Sequence, residues 1–74
     1  MLNACALLKI VPTRAEPILA AVIEMPSVKK AYFCYGRFDI VVFIEAEDYK
    51  SVREISKKIN LIEGVRSTET LVEA

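Results

Sequence analysis

A carboxylate, two hydroxyls and a glycine turn give this chain the chemistry of a small polar binding site. The acid is Asp39, which follows Gly36 by three residues and opens an apolar run. The hydroxyls belong to Thr68 and Thr70, which share one face if their segment is a strand. A carboxylate accepts hydrogen bonds from an ammonium group, whereas hydroxyls, turn amides and an arginine donate to a carboxylate. The set therefore suits a small zwitterion.

Each of these residues also has an ordinary structural interpretation. A buried carboxylate is costly unless it is solvated or paired. For Asp39 the ordinary explanation would be an ion pair with Arg37 or Arg66 of the same chain, or a solvated place at the rim of the sheet, and structural ion pairs are commoner than binding sites. Threonine forms strands well, and glycines occur in turns for conformational reasons. Only the convergence of these groups at one end of a sheet favours a site.

The composition indicates one small domain, residues 1–74, with apolar surface to spare. A chain of 74 residues is too short for a second module. Hydrophobic residues make up 54% of it, above the roughly 45–50% of ordinary domains, so we expect a homo-oligomer that covers part of this surface. Ten basic and ten acidic residues cancel, so we expect no direct binding to nucleic acid.

The sequence does not indicate a membrane protein, a metalloprotein or a cofactor-dependent enzyme. The apolar runs are far shorter than the roughly 20 residues of a membrane helix, and the N-terminus has no features of a secretion signal, so we expect a cytoplasmic protein. Cys5 and Cys34 are too distant for a Cys-x-x-Cys motif, and histidine is absent. We therefore expect no metal site, no cofactor and no histidine-based catalysis. The cysteines are interpreted as small buried side chains on strands.

The first half of the chain predicts a strand followed by a helix. Residues 2–11 have the composition of a buried strand. A helix over residues 13–25 follows, and its apolar positions recur at helical spacing. Thr13 and Glu16 match a capping box at its start. Pro26 ends it, because the residue before a proline avoids helical geometry.

A hairpin is predicted in the middle of the chain. Residues 28–35 and 38–46 are rich in β-branched and aromatic side chains, which favour strands. Gly36 and Arg37 between them suit a two-residue turn with glycine first. The second of these strands is apolar on one face and partly apolar on the other, so both faces are expected to be covered.

A second helix and a last strand complete the pattern. The helix begins at Glu47 and Asp48, where negative charge favours a helix N-terminus. Its apolar residues step along one face, and Asn60 or Gly64 ends it. Residues 65–72 form the final strand.

The order β-α-β-β-α-β is typical of an α+β, ferredoxin-like sandwich with both helices on one face of an antiparallel sheet. Right-handed crossovers give the strand order 4-1-3-2. The first and second strands are then not neighbours, so Cys5 and Cys34 are too far apart for a disulfide within one chain. The third and fourth strands begin at the same end, which would bring the turn before Asp39 near the strand of Thr68.

Two motifs carry a family resemblance. Residues 35–41 read Tyr-Gly-Arg-Phe-Asp-Ile-Val, and residues 63–70 read Glu-Gly-Val-Arg-Ser-Thr-Glu-Thr. As a pair, and with nearly the whole chain between and around them, they resemble the effector-binding (RAM) domain of the Lrp/AsnC family of transcriptional regulators. The resemblance implies an amino-acid-responsive domain that dimerises through its sheet face and assembles into rings with amino acids bound between dimers. By motif match, the ligand-binding residues would be Tyr35, Gly36, Arg37, Asp39, Thr68 and Thr70.

The sequence is compatible with three functions. The favoured one is a homo-oligomeric module that binds a free amino acid between dimers and modulates transcription indirectly. Family regulators carry an N-terminal helix-turn-helix domain that does not precede Met1 here, so we expect a stand-alone sensor. The second function is an interaction protein that co-assembles with full-length Lrp/AsnC regulators without ligand. The third, a small dimeric α+β enzyme, is disfavoured because the chain offers no histidine and one interior acid.

Overall fold

Four strands and two helices follow one another in the predicted order in the computed structural model, which describes residues 1–73. The strands are β1 (Leu2–Ile10), β2 (Val28–Phe33), β3 (Ile40–Ala46) and β4 (Val65–Val72), and the helices are α1 (Ala15–Ile23) and α2 (Tyr49–Asn60). The sheet order is β2-β3-β1-β4, and all neighbouring strands are antiparallel. The predicted ferredoxin-like topology is confirmed.

The hydrophobic core lies between the sheet and the two helices. Alternate side chains of β1 and β3 point into it because strand side chains alternate between faces. The fully buried large side chains are Leu8, Ile18, Val22, Ile40, Val42, Ile44, Val52 and Ile59. The opposite face of the sheet is not covered by either helix. Within residues 1–73, neither helix is long and apolar enough to span a membrane.

The start of α1 differs from the prediction. Thr13 does not cap the helix; it lies inside a 3-10 turn, Pro12–Arg14, and α1 begins at Ala15 without a side-chain cap. The turn forms because the N–H of Arg14 donates to the carbonyl of Val11 at 2.9 Å. The capping-box interpretation was therefore wrong, since the proline starts a tighter turn one residue before Thr13.

The hairpin loop is longer than the predicted two-residue turn. The N–H of Cys34 donates to the carbonyl of Asp39 at 2.9 Å, which leaves residues 35–38 in the loop. Gly36 has φ +109°, a conformation that side chains disfavour. The start of β3 is held by β1 as well, because the N–H of Asp39 donates to the carbonyl of Leu8 at 2.8 Å. This contact with β1 sets the loop length.

Gly64 is required where α2 connects to β4. Its φ is +98°, and a Cβ atom there would stand 2.7 Å from Cβ of Arg14. The carbonyl of Gly64 accepts a hydrogen bond from the N–H of Val11 at 2.8 Å. Backbone conformation and close approach therefore both exclude a larger residue, and the predicted start of the last strand is confirmed.

The N-terminus of α2 carries the acid that the sequence predicted. Asp48 is the N-cap residue, and its carboxylate accepts a hydrogen bond from the N–H of Ser51 at 2.8 Å. This backbone hydrogen bond lowers the pKa of Asp48 below its ordinary value of 3.8. The ionised side chain is thus favoured in the folded state.

We expect the Asp48→Ala variant to be less stable than the wild type at neutral pH, because an orphan helix N–H loses its partner. The folded-state pKa is depressed, so the contribution is complete above about pH 3.8 and is lost as the pH falls through the folded-state value. Thermal unfolding of both proteins across this range checks the prediction. Asp48→Asn keeps a capping oxygen and should remain closer to the wild type. A gap between wild type and Asp48→Ala that does not narrow in acid would contradict the assignment.

Candidate functional site

Asp39 is fixed at the start of β3 by backbone groups of its neighbours. Its carboxylate Oδ2 accepts a hydrogen bond from the N–H of Ile10 at 3.0 Å. Its own N–H and carbonyl bond to Leu8 and Cys34, at 2.8 and 2.9 Å. The second carboxylate oxygen, Oδ1, makes no hydrogen bond to residues 1–73. The sheet thus holds an acid in place with one oxygen available to a ligand.

The ion pair expected from the sequence is not formed. Asp39 bonds neither to Arg37 nor to Arg66, and the salt bridges in the described part of the chain join other residues. The end of β1 lies beside the start of β3, so the carboxylate of Asp39 accepts a hydrogen bond from the backbone N–H of Ile10 instead. The charge of Asp39 is consequently not neutralised by a cation of residues 1–73.

A shallow groove of about 380 Å³, here called the acid groove, opens beside Asp39. It runs between the 3-10 turn before α1 and the end of β2. Tyr35 borders it and is exposed, as are Gly36 and Arg37 in the same loop. Its lining residues are Ile10, Pro12, Ala15, Phe33, Cys34, Tyr35 and Asp39.

The two threonines line a different groove, here called the hydroxyl groove, between α2 and β4. The Oγ1 of Thr68 donates to Oδ1 of Asn60 at 3.1 Å. The hydroxyls of Thr70 and Ser56 are 2.7 Å apart. This groove measures about 560 Å³ and is lined by Ser56, Lys57, Asn60, Leu61, Thr68 and Thr70.

Within one chain, therefore, the predicted site residues form two groups rather than one. Tyr35, Gly36, Arg37 and Asp39 lie together around the hairpin loop and the start of β3. Thr68 and Thr70 face α2 on an edge strand that β1 separates from β3. A cleft shared by the two groups would need a second subunit, and it stays a prediction.

Sequence reasoning missed the residues that partner the predicted ones. The amide of Ile10, which holds Asp39, left no signal because any residue could supply it. Ser56 and Asn60 did leave one: they are polar positions four residues apart in α2, hence on one helix face. Such a pair beside a Thr-x-Thr strand could have indicated the hydroxyl groove.

The uncovered side of the sheet has an apolar centre and a polar margin. Its apolar side chains, here called the open face, are Cys5, Leu7, Tyr32, Val41, Phe43 and Leu71, and the strand register places Asn3, Lys30, Glu45 and Glu69 on the same side. The rings of Tyr32 and Phe43 meet edge to face at 6.2 Å, and Nζ of Lys30 lies 5.5 Å from the Phe43 ring. Leu71 is 55% exposed. Contiguous apolar surface of this kind is typical of protein interaction sites.

Cys5 and Cys34 are free thiols, and β1 and β2 are not neighbours in the sheet. Partial burial on the open face raises the pKa of the Cys5 thiol. Both side chains are half-buried rather than buried, and Cys34 lies just beyond β2. Residues 1–73 contain no cluster of three or more Cys, Asp or Glu side chains that could hold a metal ion.

These features define a small α+β domain of the ferredoxin-like class. It has an open apolar sheet face, an acid held by the backbone and a groove lined by hydroxyls. The chain belongs to the Lrp/AsnC family, because the sequence profile of the Lrp/AsnC ligand binding domain matches residues 3–73. A comparison with curated proteins gave no match.

Solved structures of similar length superpose on the whole chain. TTHA0845 from Thermus thermophilus has a TM-score of 0.96 and 28% identity, covering 100% of this chain and 94% of that one. FFRP-DM1 has a TM-score of 0.92 and 27% identity, with 100% of both chains covered.

A longer protein shares the fold. The transcriptional regulator NMB0573 from Neisseria meningitidis, solved as a complex with L-Met, has a TM-score of 0.87 and 17% identity. The match covers 99% of this chain and 49% of that regulator. At this identity the likeness shows the fold alone.

Proposed function

We propose that the chain is a regulatory module that binds a free amino acid and modulates transcription indirectly. The observation that carries the proposal is Asp39, an acid that the sheet holds beside a groove with one carboxylate oxygen free. It lies in a chain of the Lrp/AsnC ligand-binding family. The L-Met complex of a regulator with the same fold supports the choice of ligand class. A role in transcription implies a cytoplasmic location.

The two grooves have complementary chemistry for the two ends of an amino acid. Asp39 suits the ammonium group, and charge-assisted hydrogen bonds of this kind are the strong ones. The hydroxyl groove offers the ammonium of Lys57 and the one O–H that the Thr70–Ser56 pair leaves free, which suit a carboxylate. Thr68 would join them by turning its O–H away from Asn60. Arg37 and the amides beside Gly36 add donors near the acid. We propose that one subunit supplies the acid groove and another the hydroxyl groove.

Such a site requires an assembly. We propose that the open face pairs with the same face of a second copy, because this would bury the exposed apolar side chains around Leu71 and Tyr32. Dimers would then associate into rings, with ligand between them. A ligand that contacts two dimers stabilises the assembled form, so occupancy and assembly state depend on each other.

Isothermal titration calorimetry of the wild-type protein against the twenty common amino acids tests the proposal. We expect at least one amino acid to bind at micromolar to millimolar concentration. Sedimentation velocity with that amino acid should show a larger assembly than without it. Absence of binding by every amino acid at millimolar concentration would contradict the proposal.

A second candidate function rests on the open face alone. The same surface could pair with the sheet of a full-length Lrp/AsnC regulator, so that the chain alters DNA binding by co-assembly and without ligand. Affinity purification from the native cell, followed by mass spectrometry, tests this. Recovery of a partner with a helix-turn-helix domain would support it, whereas recovery of this chain alone would count against it.

The proposal assigns the chain no catalytic role. Acid–base catalysis usually needs a pair of groups with matched pKa values. Asp39 is the one acid among the residues that line the acid groove, and the sequence contains no histidine. Turnover of a bound amino acid into a new product would overturn this part of the proposal.

A further inference from the structure

The acid groove is apolar except at one end. Beside Asp39, its lining consists of the aliphatic and aromatic side chains of Ile10, Pro12, Ala15 and Phe33, together with Cys34 and the ring of Tyr35. The thiol of Cys34 is already committed, since its Sγ donates to the carbonyl of Phe38 at 3.2 Å. No lining residue is a lysine or an arginine. One charged anchor therefore faces a wall in which the hydroxyl of Tyr35 is the one other side-chain group free to form a hydrogen bond.

This lining discriminates between ligand side chains. An acidic side chain would meet the negative charge of Asp39 without a cation in the groove to offset it. A polar side chain would give up water for a surface on which, besides Asp39, only the Tyr35 hydroxyl could replace its hydrogen bonds. An apolar side chain gains from burial in proportion to its area. The groove thus favours apolar over polar ligands of the same size.

Phe33 is the largest apolar side chain in this wall. It ends β2 and pairs in register with Ile40, which is fully buried. Phe33 is nevertheless 50% exposed, since it is the last residue of β2, which is an edge strand of the sheet. An exposed ring on a paired strand, next to a fixed acid, offers a contact surface for a ligand side chain.

We infer that the effector is an amino acid with an uncharged, apolar side chain, and that Phe33 selects that side chain while Asp39 holds the ammonium group. The inference rests on the proposed function and names the class of ligand for the same site. It makes Phe33 a specificity-determining residue that sequence motifs do not indicate.

Calorimetry with a graded ligand series tests the inference. The series is glycine, alanine, valine, leucine, methionine and phenylalanine, set against serine, aspartate and lysine. We expect affinity to rise with apolar side-chain size by at least roughly tenfold from alanine to leucine, as one methylene group in an apolar pocket can be worth that much. Aspartate should bind weakest.

The Phe33→Ala variant should lower the affinity for the best apolar ligand by about tenfold or more and change alanine binding by less than about threefold. Phe33→Leu keeps an apolar wall and should retain most of the affinity. Ile23→Ala is the matched control, because Ile23 is also 50% exposed but lines no part of the acid groove. Circular dichroism establishes that each variant is folded.

The outcomes separate this inference from the proposed function. Tight binding of aspartate or serine, or an unchanged leucine-to-alanine ratio in Phe33→Ala, would overturn the inference while the amino-acid-binding function stands. Binding of no amino acid at all would overturn both. Selective loss of large apolar ligands in Phe33→Ala would support both.

Discussion

Replacing Asp39 with asparagine should weaken amino-acid binding by roughly a hundredfold or more, since removing one partner of a hydrogen-bonded charge pair has a cost of that size. Asparagine has nearly the same shape, and its side-chain oxygen can still accept the hydrogen bond from the N–H of Ile10, which Asp39 accepts at 3.0 Å. The fold should therefore persist. Calorimetry with the amino acid that binds the wild type measures the change.

Two further variants isolate the effect of the charge. Asp48→Asn removes an equivalent acid that also accepts a backbone hydrogen bond, at 2.8 Å from Ser51, and should bind ligand like the wild type. Asp39→Ala removes both the charge and the acceptor for Ile10, so it should lose stability as well as binding. Wild-type affinity in Asp39→Asn would mean that the acid is structural only.

If the open face pairs two copies as proposed, replacing Leu71 with aspartate should convert that dimer into a monomer. Leu71 lies on the open face opposite Cys5, and Phe43 lies on the other side of Cys5. In a two-fold interface the new carboxylate appears twice, and each unpaired buried charge costs several kcal/mol. The dimer should therefore weaken by more than roughly a thousandfold. Sedimentation equilibrium of wild type and variant measures the change.

The monomeric Leu71→Asp variant should remain folded, because the core lies on the other side of the sheet. Circular dichroism checks this. Ile23→Asp introduces the same charge at an exposed position of α1 and should leave the dimer intact. A Leu71→Asp protein that still sediments as a dimer would show that the open face is not the interface.

The topology could be predicted because it depends on repeated local patterns. The apolar composition of β1, the alternation in β3, the helical spacing in α1 and α2, and the handedness of crossovers are patterns that extend over many residues. The bounds of β4, Val65–Val72, match the prediction. The acid at Asp48 was also placed correctly, since N-terminal acids follow a local rule.

Features that depend on contacts distant in sequence could not be predicted. Asp39 accepts a hydrogen bond from Ile10, which is 29 residues away in sequence. Residues close to Asp39 in sequence therefore indicate neither this partner nor the length of the preceding loop. The failed capping box at Thr13 has a similar cause, because Pro12 and the link between Val11 and Gly64 fix the turn. The sequence did not show that the Thr68 hydroxyl points towards α2, because this depends on where the helix packs against the sheet.

The most direct test of the central claim, that Asp39 holds the ammonium group of an amino acid in a cleft between subunits, is a crystal structure of the protein grown with its best-binding amino acid. We expect the ligand nitrogen at about 2.7–2.9 Å from a carboxylate oxygen of Asp39, with the hydroxyl groove of another subunit closing over the ligand carboxylate. An amino acid bound away from Asp39, or an assembly in which no second subunit approaches the acid groove, would contradict the account.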